Sequence, residues 1–139
     1  MRYYLDTNTL IFVLGNDKDE LSLQTLDVLE DYSNSFYLST VVIRELILLY
    51  KEGKLKHLKY KTYKEIFDAI GSTGIKITPI QEKHLYTYAE LEPALNHKDP
   101  NDHVIIAQSI SDKIPIISCD TKFKLYEKQG LELVFNRRR

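Results

Sequence analysis

The chain has 139 residues, 43% of them hydrophobic, a formal net charge of −1 and one cysteine. That length suits a single domain with a buried core, the near-zero charge gives no global pull toward nucleic acid, and one cysteine excludes a disulfide framework or a Cys-based zinc site. No apolar run approaches a membrane span, and the chain opens on Arg2-Tyr3-Tyr4 rather than an export signal, so a soluble protein of the reducing cytoplasm is expected.

Residues 2–5 read as a strand, followed by Asp6-Thr7-Asn8-Thr9 and an apolar helix over 8–14 that Gly15-Asn16-Asp17 stops. A second helix spans 21–31 and a second strand 36–38. Ser39-Thr40 then caps a third helix over 41–50, which is apolar on most sides and is therefore expected at the centre of the molecule or at a subunit interface. Glu45 is its only acid. A glutamate is rarely buried unpaired, so it needs a salt bridge, a metal ion or a cluster of donors.

Residues 51–64 interleave Lys51, Lys54, Lys56, Lys59, Lys61 and Lys64 with tyrosines. Such a segment suits either a solvated face with snorkelling lysines or contact with a phosphate backbone. A fourth helix covers 60–71 and a third strand 75–78. A fifth helix covers 81–92, with Leu85, Tyr88, Ala89 and Leu91 expected inward and His84 an ordinary helical residue. A sixth helix over about 100–111 leads to an apolar strand at 114–118, a last helix at 121–128 and a last strand at 131–135. This organises residues 1–135 as one domain and leaves 136–139 as a basic tail, expected to fray.

The acids carry the functional signal. Pro100 fits the first position of the sixth helix, which makes Asp99 its N-cap and puts Asp102 on its first turn. Asp6 and Asp120 each follow a strand and open a helix. Each of these placements also serves to satisfy orphan amides at a helix start. Alternating strands and helices argue an α/β domain with a mostly parallel sheet, in which ligands bind beyond the carboxyl ends of the strands. Asp6, Glu45, Asp99, Asp102 and Asp120 then fall on one edge. Carboxylates sharing a pocket repel and raise one another's pKa. A divalent cation removes the conflict, and oxygen-only donors favour Mg²⁺ or Mn²⁺. Phosphodiester hydrolysis is the chemistry such an ion suits.

The ordered set of motifs resembles the PIN-domain ribonucleases, and more narrowly the VapC-type toxins of bacterial toxin–antitoxin pairs. Asp6-Thr7-Asn8 is similar to that family's opening acid motif. Ser39-Thr40 through Arg44-Glu45-Leu46 is similar to its serine-then-glutamate helix start, and His97-Lys98-Asp99-Pro100-Asn101-Asp102-His103 to its Asp-Pro-x-Asp run. Ile117-Ser118-Cys119-Asp120, with Phe123 after it, is similar to its closing motif. Asn101 and His103 depart from the family pattern, where an apolar residue and Arg often stand, so local phosphate contacts are expected to differ.

The resemblance implies a three-layer α/β/α fold with sheet order 3-2-1-4-5 and an endoribonuclease dependent on Mg²⁺ or Mn²⁺. It also implies a homodimer and a cognate antitoxin that blocks the pocket. It assigns Asp6, Glu45, Asp102 and Asp120 as catalytic metal ligands, Asp99 as an outer ligand and N-cap, and Asn8 and Ser118 as supporting residues. The 51–64 segment and the arginine tail become candidate RNA contacts. Competing readings are a non-catalytic PIN-like module that binds RNA or protein, a phosphoacceptor or phosphatase using Asp6, and a nuclease acting on DNA.

Overall fold

The computed structural model describes residues 1–138. Five strands form one wholly parallel sheet: β1 (Arg2–Leu5), β2 (Ser35–Ser39), β3 (Lys76–Thr78), β4 (Ile116–Ser118) and β5 (Leu133–Phe135). Their order is β3-β2-β1-β4-β5, as expected, and helices cover both faces to give three α/β/α layers. Register places Tyr4 beside both Tyr37 and Ile116, so β1 is the central strand. Leu5, Leu38, Ile116 and Ile117 are buried in the sheet, and Leu10, Leu46, Ile70 and Ile106 pack onto it from the helices. Short apolar strands covered on both faces are the sequence pattern of a buried parallel sheet.

The helices are α1 (Thr7–Leu14), α2 (Leu23–Glu30), α3 (Thr40–Lys51), α4 (Tyr63–Ser72), α5 (Glu82–Glu90) and α6 (Pro100–Asp112). Polar caps set their starts: Asp6 for α1, Ser22 for α2, Ser39 for α3, Thr62 for α4 and Asp99 for α6. The last expected helix is instead a run of 3-10 turns, Thr121–Gln129, capped by Asp120 and closed by Gly130 at φ 104°. The second helix starts two residues later than expected because Ser22, whose hydroxyl accepts from the Thr25 amide at 3.1 Å, serves as its cap.

Three expectations need correction. On α5 the inward residue is His84, whereas Leu85, Tyr88 and Ala89 face solvent. His84 donates through Nε2 to Asp112 at 2.9 Å, and its Nδ1 accepts from the Gln81 amide at 2.9 Å, so a polar clip docks this helix. Second, α3 is buried on fewer sides than its apolar residues suggest: Val42, Ile43 and Leu46 are buried, but Leu48 is 48% exposed. Third, the tail does not fray at its start. Asn136 is fully buried, its Oδ1 accepts from the Ser22 amide at 2.8 Å, and its Nδ2 donates to the Glu20 carbonyl at 2.8 Å. Arg138 pairs with Glu20 and lies over the Phe12 ring. Arg139 lies outside the described residues.

The sheet order fixes where a ligand can sit. From β1 the chain moves to β2 and β3 on one side, then returns to β4 and β5 on the other. A crevice therefore opens at the carboxyl end of β1, between β1 and β4, where connections leave in opposite directions.

Candidate metal centre

Asp6 emerges from β1 into that crevice. It is 5% exposed, and its Oδ1 accepts the Thr9 amide at 2.9 Å. β2 ends at Ser39, whose hydroxyl accepts the Val41 amide at 3.1 Å and starts α3. Glu45 follows on that helix, and its Oε2 accepts the Thr7 hydroxyl at 2.8 Å. Asp99 caps α6 by accepting the Asn101 amide at 2.9 Å through Oδ1. Asp102, one turn on, receives His97 Nε2 at 3.1 Å on Oδ2. Beyond β4, Asp120 accepts the Lys122 amide at 2.9 Å through Oδ1, and its own amide donates to the buried Ser118 hydroxyl at 3.1 Å.

Asp6, Glu45, Asp99, Asp102 and Asp120 line one cavity of about 150 Å³, together with Thr7, Asn8 and Phe123. Capping and site-building are thus not alternatives. A carboxylate has two oxygens. In Glu45, Asp99, Asp102 and Asp120 one oxygen is engaged by a protein donor, while the other accepts no hydrogen bond among the described residues.

The electrostatics register the crowding. Burial raises the Asp6 carboxyl above its ordinary value; hydrogen bonds from Ser118 and Thr9 oppose the shift, and the Asp120 charge adds to it. Burial likewise raises Glu45, opposed by the Thr7 hydroxyl and reinforced by the charges of Asp99 and Asp6. Asp102 is pushed up to about 8, by burial first and then by Asp99, Glu45, Asp120 and Asp6. The amino ends of α1 and α6 face the cavity and offset part of this repulsion through their dipoles. Asp102 still carries a large residual shift, which a bound cation would reverse.

Donor chemistry fits a hard divalent ion. The polar lining is five carboxylates, the Thr7 hydroxyl and the Asn8 amide, with no sulfur. One ligand atom each from His97, Asp102 and Asp120 lies within 4.8 Å of the others, a spacing that one ion can bridge.

Every acid selected from the sequence therefore reaches the same cavity. Ser118 hydrogen-bonds the Asp6 carboxyl, and its hydroxyl accepts the Asp120 backbone amide. Asn8 lines the cavity with an exposed side chain but hydrogen-bonds no carboxylate among the described residues. His103 is buried and turned inward, with Nε2 2.8 Å from the His97 carbonyl, so it is withdrawn from phosphate. Asn101 instead accepts from Arg44 at 3.3 Å.

Neither candidate RNA segment lines the cavity itself. In the 51–64 stretch Tyr60 donates to the Leu14 carbonyl at 3.5 Å, at the end of α1 opposite Asp6, about 12 Å away at 1.5 Å per residue. Arg138 is committed to Glu20. Exposed cations close in sequence or contact to the pocket acids include Arg44, Lys98 and Lys122.

Two contributing residues escaped sequence reasoning. Thr7 reads as part of a capping run, and only the approach of α3 to α1 turns its hydroxyl onto Glu45. His97 looks no different in sequence from His84 or His103. The loop that contains Asn96 at φ 65° folds its ring inward against Asp102.

The fold and this pocket define an α/β protein with an acidic, metal-competent crevice at the carboxyl edge of a five-stranded parallel sheet. A PIN-domain family model matches residues 3–129, so the chain belongs to the PIN-domain family. No curated protein sequence matches it. Among solved structures, VapBC2 from Rickettsia felis bound to a promoter DNA fragment has a chain similar at a TM-score of 0.65 and 20% identity, covering 98% of this chain and 99% of that one. DNA-bound VapBC from Salmonella typhimurium is similar at 0.68 and 17%, covering 97% and 98%. VapBC-1 from nontypeable Haemophilus influenzae is similar at 0.64 and 20%, also covering 97% and 98%. At these identities the likeness is one of fold.

Proposed function

We propose that this chain is a divalent-metal-dependent endoribonuclease, the VapC-type toxin of a toxin–antitoxin pair. The observation that carries the reading is the convergence of Asp6, Glu45, Asp99, Asp102 and Asp120 on one small cavity, with Asp102 raised to about 8 when no cation balances it. Asp6, Glu45, Asp102 and Asp120 are the residues that would hold the ion, with Asp99 an outer contributor. Mg²⁺ or Mn²⁺ bound there would acidify an attacking water and neutralise charge on the reacting phosphate.

The chain's own residues do the rest. Thr7 and Ser118 hold Glu45 and Asp6 in place. Arg44, Lys98 and Lys122 provide exposed positive charge near the pocket for the flanking phosphates of an RNA strand. Asp6 is buried and tied to Thr9, a poor placement for the nucleophile of a phosphoacceptor.

The decisive experiment is RNA cleavage by purified protein with Mg²⁺ or Mn²⁺, in parallel with a DNA substrate. Cleavage of RNA should require the ion, stop with EDTA, and fall at least about 100-fold in Asp102→Asn, the scale expected when a charged group essential to the transition state is lost. RNA bound but never cut would return the chain to a non-catalytic module; equal digestion of DNA would make it a general nuclease. The toxin reading adds a small antitoxin, which co-purification from the native cell should recover. It also adds a homodimer, supported by the exposed apolar side chains of α5 and Leu48 of α3.

A further inference from the structure

We infer that His97 is a positioning residue for Asp102, an imidazole locked by Tyr126 in the tautomer that carries its proton on Nε2, and that it is not itself a metal ligand. The inference rests on the metal-dependent reading of the pocket and assigns within it a role to a residue whose ring nitrogen is close enough to Asp102 and Asp120 to be taken for a third ligand.

A buried chain of hydrogen bonds fixes the protons. The Ala94 amide donates to the Tyr126 hydroxyl at 3.0 Å. That hydroxyl has one proton of its own and lies 2.7 Å from His97 Nδ1. Tyr126 is fully buried, and its hydroxyl has no other acceptor among the described residues. Were Nδ1 protonated, the hydroxyl proton would be stranded in the interior, at the cost of an unmade buried hydrogen bond. So Tyr126 donates to Nδ1, Nδ1 offers its lone pair, and the ring proton sits on Nε2. That proton points at Asp102 Oδ2, 3.1 Å away. A protonated ring nitrogen donates and cannot ligate.

The ring has little room to adopt another pose. His97 is 2% exposed, with His103 edge-on at 4.8 Å between centroids, Tyr126 at 5.4 Å and Phe123 at 6.3 Å. Its carbonyl accepts His103 Nε2 at 2.8 Å, and its amide donates to the Ala94 carbonyl at 3.1 Å. Asp102 is therefore held by one oxygen with the other directed to serve the ion, the arrangement by which an outer residue orients a ligand.

Two measurements test this. The first is long-range ¹H–¹⁵N NMR on ¹⁵N-histidine-labelled protein, metal-free and then titrated with Mg²⁺. His97 should show an unprotonated Nδ1 and a protonated Nε2, both unchanged at saturating Mg²⁺. A proton on Nδ1, or an Nε2 that loses its proton as Mg²⁺ binds, overturns the inference. If Mg²⁺ perturbs nothing near the pocket, the metal reading fails, while the tautomer in the metal-free protein still decides the role of His97. The second is the Mn²⁺ dissociation constant by electron paramagnetic resonance. His97→Ala should weaken Mn²⁺ by about 10-fold, and His97→Gln, which keeps an N–H donor, should recover part of that. Equal loss in both variants would make the imidazole a ligand and overturn the assignment. Should His97→Ala not fold, Tyr126→Phe takes its place: it keeps the ring packing, releases Nδ1, and should give a mixed tautomer and weaker Mn²⁺ binding. An unmixed tautomer in that variant also overturns the lock.

Discussion

Asp102 makes the proposed metal site measurable through stability alone. Its carboxyl is raised from an ordinary 3.8 to about 8 in the folded chain, so the native state holds its proton more tightly than the unfolded state. The stability this contributes is fully present below about pH 4 and is lost as pH rises toward 8. Metal-free protein should therefore melt at progressively lower temperature between about pH 5 and pH 8. Added Mg²⁺ should raise the midpoint, and raise it more at pH 8 than at pH 5. Asp102→Asn removes the titration. With one pKa unit equivalent to about 1.4 kcal/mol, even a quarter of the shift makes this variant at least ~1 kcal/mol more stable than the wild type at pH 8 without metal. Calorimetry across pH, with and without Mg²⁺, checks both statements; a flat metal-free profile would contradict them. The cations near the pocket predict a different signature. The side chains of Arg44 and Lys122 hydrogen-bond no carboxylate among the described residues, so Arg44→Ala and Lys122→Ala should each raise KM for RNA about 3–10-fold with little change in kcat, the loss of a phosphate contact rather than of chemistry. Steady-state kinetics at two salt concentrations separates the two effects.

At the scale of elements, α5 shows how one polar contact can select the face that a helix buries. Asp112 accepts the Tyr4 hydroxyl at 2.6 Å, His84 Nε2 at 2.9 Å and Lys83 Nζ at 3.1 Å. Burial opposes its ionisation, but these donors outweigh it and hold the carboxyl below the ordinary range. The sign is opposite to that of Asp102: this stability is present above about pH 4 and is lost as pH falls. Asp112→Ala leaves the buried Tyr4 and His84 donors unpaired and should cost about 3 kcal/mol in urea unfolding. RNA cleavage should persist, because α6 places Asp112 about 15 Å along its axis from Asp102. The clip also marks the limit of sequence reading. Helix starts and the converging acids were legible because caps, turns and strand-end positions are local signals: Asp6, Asp99 and Asp120 each follow directly from an element boundary, whereas the strand order came only from the resemblance of the ordered motifs. The face that α5 buries was not. Its periodicity offered Leu85, Tyr88 and Ala89, and the choice fell to His84 because Asp112, 28 residues away, waits beneath it. His97 was hidden for the same reason, since its partner Tyr126 lies 29 residues on.

On the scale of the whole molecule, the apolar residues that α5 leaves outside suit the proposed homodimer. Leu85 is 50% exposed and Tyr86 68%, Tyr88 is exposed beside them, and the edge strand β3 adds Ile77. A helix with an apolar outer face is costly in an isolated monomer and suits a self-complementary contact between two copies. Every acid of the metal centre comes from one chain, so pairing would stabilise α5 without completing the pocket. Two consequences follow and can be read independently. Light scattering should give a dimer for the wild type and a monomer for Tyr86→Glu at the same concentration. The wild-type melting temperature should also rise with protein concentration, as mass action requires, while that of the variant should not. Metal-dependent RNA cleavage per chain should stay within about 3-fold of the wild type. A wild-type monomer would remove the second copy from the account. A monomeric variant that no longer cleaves RNA would show that the pocket depends on its neighbour after all, and that α5 carries structure across the interface into α6 and Asp102.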